Sequence, residues 1–255
     1  MTKKVVIITG ASSGMGREFA MQISKRLKNM DEIWLIARRK DRLEELRDEI
    51  NMPCIIIDED IASPEFADKY KKMISQEKPS VKMLINCAGY GIMGKMDEHN
   101  RELELGMIDT NCKALTNITL ITLPFMAFNS RIINLASSAA FIPQSGFAIY
   151  AASKSYVLSF SRALNHELKS KNIFVTAVCP GPVNTEFFRI AEDGGKRAWF
   201  KDYFMVNAED VVRLALKDSV SRKEVSVYGT SMKLLMVFAK LCPHRTILNV
   251  MDIFN

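Results

Sequence analysis

The chain has no C-x-x-C pair. Its five cysteines, Cys54, Cys87, Cys112, Cys179 and Cys242, are scattered and odd in number. This excludes a disulfide frame or a zinc ribbon and fits reduced thiols in a cytoplasmic protein. Histidine is scarce: His99, His166 and His244 lie far apart with no ligand spacing, so no metal site is expected. There is no basic block able to track a phosphate backbone. The net charge of +6 is spread over stretches such as Arg38 to Asp48, where acids and bases alternate, so nucleic acid is not an expected partner. No apolar run is long enough to span a bilayer. The first, Val5 to Ile8, is shorter than a signal-peptide core and is followed by Gly10 rather than a cleavage site. The last, Leu234 to Phe238, is soon interrupted by Lys240, Pro243, His244 and Arg245. No Gly/Ser linker, composition shift or internal repeat divides the chain.

What is present fits a single domain over residues 1–255 with a sizeable core, at 48% hydrophobic and 25% charged residues. Short β-branched runs predict strands at Lys4 to Thr9, Ile33 to Ala37, Pro53 to Ile57, Met83 to Asn86, Arg131 to Leu135, Phe174 to Val178 and Val225 to Tyr228. Each is almost continuously apolar, as strands buried on both faces of a parallel sheet must be. Helical patterns lie between them: Met15 to Lys28, Arg39 to Ile50, Pro64 to Gln76, Glu102 to Phe128, Ala151 to Lys169 and Glu209 to Lys217. This alternation predicts an α/β doubly wound fold with a seven-stranded parallel sheet flanked by helices on both faces. Such sheets bind ligands beyond the carboxyl ends of their strands, where strand order reverses.

Thr9-Gly10-Ala11-Ser12-Ser13-Gly14-Met15-Gly16 closes the first strand and opens the first helix. Its glycines let a ligand approach the backbone, and the free N–H groups at the helix start suit a pyrophosphate. Tyr150 and Lys154 are spaced to share one helix face. A free phenol titrates near ~10, and a neighbouring ammonium favours the phenolate, making tyrosine a usable general acid or base.

The chain resembles the classical short-chain dehydrogenase/reductase family over nearly its full length. T-G-A-S-S-G-M-G looks like that family's T-G-x-x-x-G-x-G cofactor motif, and Asn86-Cys87-Ala88-Gly89 like its sheet-stabilising N-x-A-G. Asn111 in a helix, Ser137 after the fifth strand, Tyr150-x-x-x-Lys154 and Pro180-Gly181 after the sixth complete an ordered set. The resemblance implies a single Rossmann-like domain, and a homodimer or homotetramer. It also implies contacts to a dinucleotide from Gly10, Ser12, Ser13, Gly14, Met15, Gly16, Ile61, Asn86, Ala88, Gly89, Tyr150, Lys154, Pro180, Gly181, Val183 and Thr185. Asp60 is expected at the adenine amino group; a helix cap is its other reading, although Ser63 already fits that role before Pro64.

No acid follows the second strand. Arg38, Arg39 and Lys40 stand there instead, where cations are unfavourable unless an anion joins them, so NADP(H) is favoured over NAD(H). The resemblance implies Ser137 rather than Ser138 as the catalytic serine, because the family's serine lies three residues after an asparagine or equivalent strand residue and thirteen before the tyrosine, and counts from Asn134 and Tyr150 both reach Ser137. Ala140 departs from the glycine of many relatives. In the implied chemistry Ser137 steadies the developing oxyanion and Tyr150 exchanges the proton. Lys154 lowers the phenol's pKa and bonds the nicotinamide ribose, and Asn111 holds a relay water, or simply caps or kinks its helix.

The expected activity is interconversion of a secondary alcohol and a ketone on a lipophilic small molecule such as a hydroxysteroid or 3-oxoacyl compound. The alternatives are a non-catalytic NADP-binding sensor, and an NADP-linked epimerase or dehydratase. The sensor has no need of an activated phenol; the other relatives are usually longer. A Ser-His-Asp hydrolase is disfavoured, since Ser137 lacks a G-x-S-x-G elbow. The expected substrate loop, residues 186–206, carries Phe187, Phe188, Trp199, Phe200, Tyr203 and Phe204, with Gly194-Gly195 as a hinge. Aromatic bulk favours an apolar or ring-containing substrate; anchoring a lid is the equal alternative. The tail, residues 231–255, is open to three roles: packing on a partner subunit, covering the active site, or touching a membrane. Trp199→Ala should change the relative rates with small and bulky ketones, and unchanged ratios would remove the size argument.

Overall fold

Seven aliphatic runs form one sheet in a computed structural model that describes residues 2–97, 100–191 and 205–253. They are β1 (Lys4–Thr9), β2 (Glu32–Ile36), β3 (Cys54–Ile57), β4 (Ser80–Asn86), β5 (Met126–Leu135), β6 (Ile173–Val178) and β7 (Val225–Ser226). All pairings are parallel, in the order β3-β2-β1-β4-β5-β6-β7. The chain winds outward through β2 and β3, then returns to add β4 on the other side of β1. The strand-order reversal therefore falls between β1 and β4.

Helices cover both faces, which explains the unbroken apolar runs. Alternate residues of a strand face opposite sides. Val6 and Ile8 of β1 and Leu35 of β2 pack on Phe19 and Ile23 of α1 (Gly14–Arg26), Leu43 and Leu46 of α2 (Lys40–Glu49), and Val212 of α8 (Ala208–Val220). Val5, Ile7 and Trp34 point the other way, toward Tyr70 and Ile74 of α3 (Phe66–Glu77), Ile118 of α5 (Leu115–Thr122), and Leu164 of α6 (Ala148–Leu168). Each fully buried aliphatic side chain contributes about 1.5–3 kcal/mol.

Three expected elements need correction. The helix expected from Glu102 to Phe128 is instead α4 (Arg101–Ile108), a π-helical segment (Asp109–Ala114) and α5, followed by a short 3₁₀ turn (Leu123–Phe125) and then β5. Pro124 lies in that turn: it lacks an N–H and disfavours helix at the preceding residue, so the chain leaves the helix there. Ser63 does not cap the third helix. It sits in a turn in which Asp60 accepts the Ala62 N–H at 2.9 Å, and the helix opens at Phe66 after Glu65. Arg39 is the residue before α2 rather than its first.

The head of the expected substrate loop is helical, α7 (Glu186–Ala191), and the tail forms α9 (Thr230–Leu241) and α10 (His244–Ile253). Leu235, Ala239 and Ile247 pack with Phe141 and Ile142, while Leu234, Val237, Phe238 and Leu241 remain exposed. Among the described residues no helix is long and apolar enough to cross a membrane.

A buried polar stitch joins the two central strands to the helices above them. Asn86 Nδ2 donates to Asn134 Oδ1 at 2.8 Å and to Thr119 Oγ1 at 3.1 Å, and Asn134 Nδ2 donates to Ser161 Oγ at 2.9 Å. Asn86→Ala would leave Asn134 Oδ1 without this donor in the core. It should cost about 2 kcal/mol, read as a lower urea midpoint with an unchanged slope.

Candidate active site

The turn after β1 is shaped by its neighbour β4. Thr9 Oγ1 accepts the backbone N–H groups of Cys87 and Ala88, each at 3.2 Å, tying the two strand ends together. A methyl on Gly10 would lie 2.7 Å from Ala88 N, and one on Gly16 would lie 2.2 Å from the Gly10 carbonyl oxygen. Gly10 also has φ +68°, a left-handed conformation that favours glycine. Beyond the turn, α1 starts without a side-chain cap and without an acid in its first turn. Its first N–H groups and positive dipole end thus suit an anion, and the donor set fits the pyrophosphate of a dinucleotide.

From this cradle a cleft of about 830 Å³ runs to Tyr150. Ser12, Ser13, Gly14 and Met15 line it with Gly10 and Gly16; so do Arg38, Arg39, Asp60, Ile61, Ala88, Gly89, Pro180, Gly181, Val183 and Thr185. Arg39 Nε and Nη2 donate to Ser12 Oγ at 3.3 and 3.2 Å, and its Nη1 to Glu186 Oε2 at 2.9 Å. Arg42 Nη1 donates to Glu186 Oε1 at 2.6 Å. The hydrogen bonds from Arg42 and Arg39 pull the Glu186 carboxyl down to about 2. Arg38 is the looser cation, 73% exposed at its side chain and 3.7 Å from Asp60.

At the other end, Ser137, Tyr150 and Lys154 share the wall. Ser137 ends the extended chain after β5, and its Oγ accepts the Ala139 N–H at 3.1 Å. The Tyr150 ring stacks on Phe147 with centroids 4.2 Å apart, and Phe187 tilts against it at 5.3 Å. A methyl on Gly91 would meet Tyr150 Cδ2 at 2.7 Å, so this glycine lets the ring lie flat on the backbone. Lys154 is buried and donates from Nζ to the Leu135 carbonyl at 2.8 Å, with Nζ 5.6 Å from the Tyr150 ring centroid.

Burial pushes the Tyr150 phenol up to about 12, against the opposing hydrogen bond from Ser137. Lys154 is lowered to about 8, again by burial, with the thiols of Cys112, Cys87 and Cys179 opposing. In this enclosed end desolvation favours the neutral form of each group.

Asn111 lies in the π-helical segment, a distortion that often marks functional positions. Its Oδ1 accepts the Tyr90 N–H at 3.1 Å, and its Nδ2 donates to the Tyr90 carbonyl at 2.9 Å and to Ser153 Oγ at 3.0 Å. A methyl on Gly89 would meet Asn111 Oδ1 at 2.8 Å and Lys154 Nζ at 3.3 Å, so both side chains close on this glycine. The Asn86 side chain is buried in the sheet stitch and does not line the cleft, contrary to its expected place among the cofactor contacts.

These features coincide with known proteins. A family profile described as short chain dehydrogenase matches residues 4–194. The chain belongs to that family. It is an oxidoreductase, 31% identical over 185 residues to an uncharacterized oxidoreductase of Staphylococcus epidermidis, covering 72% of this chain and 79% of that one. It is also 31% identical over 219 residues to an NADP-dependent 3-hydroxy acid dehydrogenase of Escherichia coli, covering 81% and 85% of the two chains. The short-chain dehydrogenase from Sphingobium yanoikuyae, solved in complex with NADPH, superposes with a TM-score of 0.79 at 28% identity, over 93% of this chain and 94% of that one.

For this member of the family, sequence reading missed several lining residues. Met93, Ile142, Gln144, Ser145 and Phe147 come from connecting segments, and Met232 and Leu235 from α9. Phe147, three residues before Tyr150 in the same helical period, had a readable signal; the α9 residues had none. The tail's inner face therefore lines the cleft, and Met232 Sδ would lie 2.8 Å from a methyl on Gly181. Of the expected substrate loop, Gly194, Gly195, Trp199, Phe200, Tyr203 and Phe204 lie outside the described residues, as does His99.

The depressed lysine makes a stability prediction. Between about 8 and its ordinary 10.5, the unfolded chain holds a proton that folded Lys154 has lost, so stability rises with pH in that window. Thermal melts should show the wild type gaining on Lys154→Met from pH 8 to 9. A difference that is flat with pH would mean an ordinary lysine.

Proposed function

We propose that the protein is an NADP(H)-dependent reductase or dehydrogenase interconverting a secondary alcohol and a ketone on a lipophilic small molecule, of the hydroxysteroid or 3-oxoacyl kind. The observation that carries the reading is the convergence of Ser137, Tyr150 and Lys154 on the cleft whose far end is the glycine cradle. A bound nicotinamide dinucleotide supplies or accepts the hydride. Ser137 offers its hydroxyl to the substrate oxygen as negative charge develops there. Tyr150, with its pKa raised to about 12, holds its proton at neutral pH, the form from which it donates to that oxygen during reduction. Lys154, charged below about 8, lies close enough to the phenol ring to favour any negative charge that reaches the phenol. Asn111 holds the Gly89–Tyr90 backbone and Ser153 in place behind it.

Ser12, Arg38 and Arg39 support NADP(H): together they offer a hydroxyl and two guanidinium groups where a ribose phosphate enters the cleft. The NADPH complex of the Sphingobium yanoikuyae relative and the NADP dependence named for the Escherichia coli one agree with this. Met93, Ile142, Phe147, Phe187, Met232 and Leu235 supply an apolar wall and support a lipophilic substrate. Cytoplasmic residence and assembly as a homodimer or homotetramer belong to the same reading. They are supported by five unpaired thiols and by the exposed Leu103, Ile108, Leu120 and Tyr156 on neighbouring helices.

Tyr150→Phe should retain NADPH binding and lose at least about a hundredfold in turnover with its best ketone substrate. Turnover that survives the change would refute the assignment. A screen of ketosteroids, 3-oxoacyl thioesters, quinones and small ketones by NADPH oxidation identifies that substrate.

A further inference from the structure

Arg39 uses different sides of its guanidinium for different partners. Nε and Nη2, the two donors along one edge, both reach Ser12 Oγ, at 3.3 and 3.2 Å. That edge makes two parallel hydrogen bonds to a phosphate, and here it meets a single hydroxyl oxygen. Nη1, away from that edge, donates to Glu186 Oε2 at 2.9 Å. The second carboxylate oxygen, Oε1, is held by Arg42 Nη1 at 2.6 Å. Glu186 is therefore braced from the first turn of α2 and in turn grips the residue just before that helix. It follows directly on Thr185, whose Cγ2 would lie 3.3 Å from a methyl on Gly14 in the glycine cradle.

We propose that Glu186 is a positioning residue for the 2′-phosphate of the cofactor, turning the Nε–Nη2 edge of Arg39 toward Ser12 so that a bidentate fork stands ready. The proposal rests on the NADP(H) reading. A carboxylate beside a phosphate site is ordinarily repulsive. Here Arg39 and Arg42 each occupy one of its oxygens, and Arg38 adds a further cation at the cleft. The carboxyl stays ionised throughout the physiological range, so the grip does not weaken with ordinary changes of pH. Because Glu186 heads the segment whose next residue, Phe187, packs on the Tyr150 ring, the grip also ties cofactor identity to that segment. By linkage, binding the phosphate and holding the head of the segment favour each other.

The test is calorimetric binding of 2′,5′-ADP and 5′-AMP to the full chain as wild type, Glu186→Ala and Glu186→Gln. Neither nucleotide carries a nicotinamide, so the readout is independent of turnover. The wild type should prefer 2′,5′-ADP. Glu186→Ala should weaken 2′,5′-ADP about tenfold, the loss expected for one charge-assisted positioning contact, and leave 5′-AMP unchanged. Glu186→Gln keeps an acceptor oxygen for Arg39 and should recover most of the loss. If both variants tighten 2′,5′-ADP, the carboxylate is a repulsive neighbour and the proposal is overturned; it is equally overturned if neither variant changes the preference. A wild type that does not distinguish the two nucleotides would instead defeat the NADP(H) reading, and the proposal with it.

Discussion

At the head of the sheet backbone comes so close to backbone that neither Gly10 nor Gly16 has room for a side chain. The Gly10 position faces the Ala88 amide and the Gly16 position faces the Gly10 carbonyl, each inside the contact distance of a methyl. The rest of the site is measured from this approach. Thr9, Asn86, Asn134 and Ala177 stand side by side in the registers of β1, β4, β5 and β6. One step past that row lie Gly10 and Cys87; three steps past it lie Gly89, Ser137 and Pro180. The glycine cradle and the Ser137 wall thus share an edge because one row of paired residues fixes both. The Asn86–Asn134 stitch locks that row from within.

Much of this was legible because parallel strands buried on both faces leave little choice of residue. The β1 run matches its strand residue for residue, and the double count from Asn134 and Tyr150 points to Ser137, which lines the cleft together with Ser138. The departures have local and non-local causes. Pro124 was a readable stop inside an apparently continuous apolar helix. The π-helical segment was not readable: it is held by contacts from Asn111 to Tyr90 and Ser153, 21 and 42 residues away, which leave no local pattern. Glu186 is further still, 147 residues from Arg39, and in the sequence it is one more acidic residue at the start of a loop. Met232 and Leu235 sit in a tail whose apolar residues point both inward and outward, so composition alone could not assign it a role.

Tyr150 and Lys154 show where spacing misleads. Four residues apart on a helix puts two side chains on one face, and the helix does bring the lysine over the tyrosine ring. Spacing carries no information about dielectric. Both groups are buried, and burial shifts each toward its neutral form, the phenol upward and the ammonium downward. The pair is therefore held in its protonated-phenol state in the absence of other charge. The same low dielectric makes any charge that enters the cleft strongly felt.

The two ends of the cleft consequently work under different electrostatic rules. At the glycine-cradle end the Arg38 and Arg39 side chains are 73% and 39% exposed, so their attraction for an anion is long in reach but screened by salt. At the Tyr150 end Lys154 is 5% exposed and donates to a backbone carbonyl, so its influence is short in reach and little screened. The charges at one end are thus moderated by water and ions, and those at the other are not. The segment beginning at Val183 connects them. It contacts Gly14 through Thr185, Arg39 and Arg42 through Glu186, and the Tyr150 ring through Phe187. Three consecutive residues therefore touch the glycine cradle, Arg39 with Arg42, and the Tyr150 ring. A change at any one of those contacts must be accommodated by the other two.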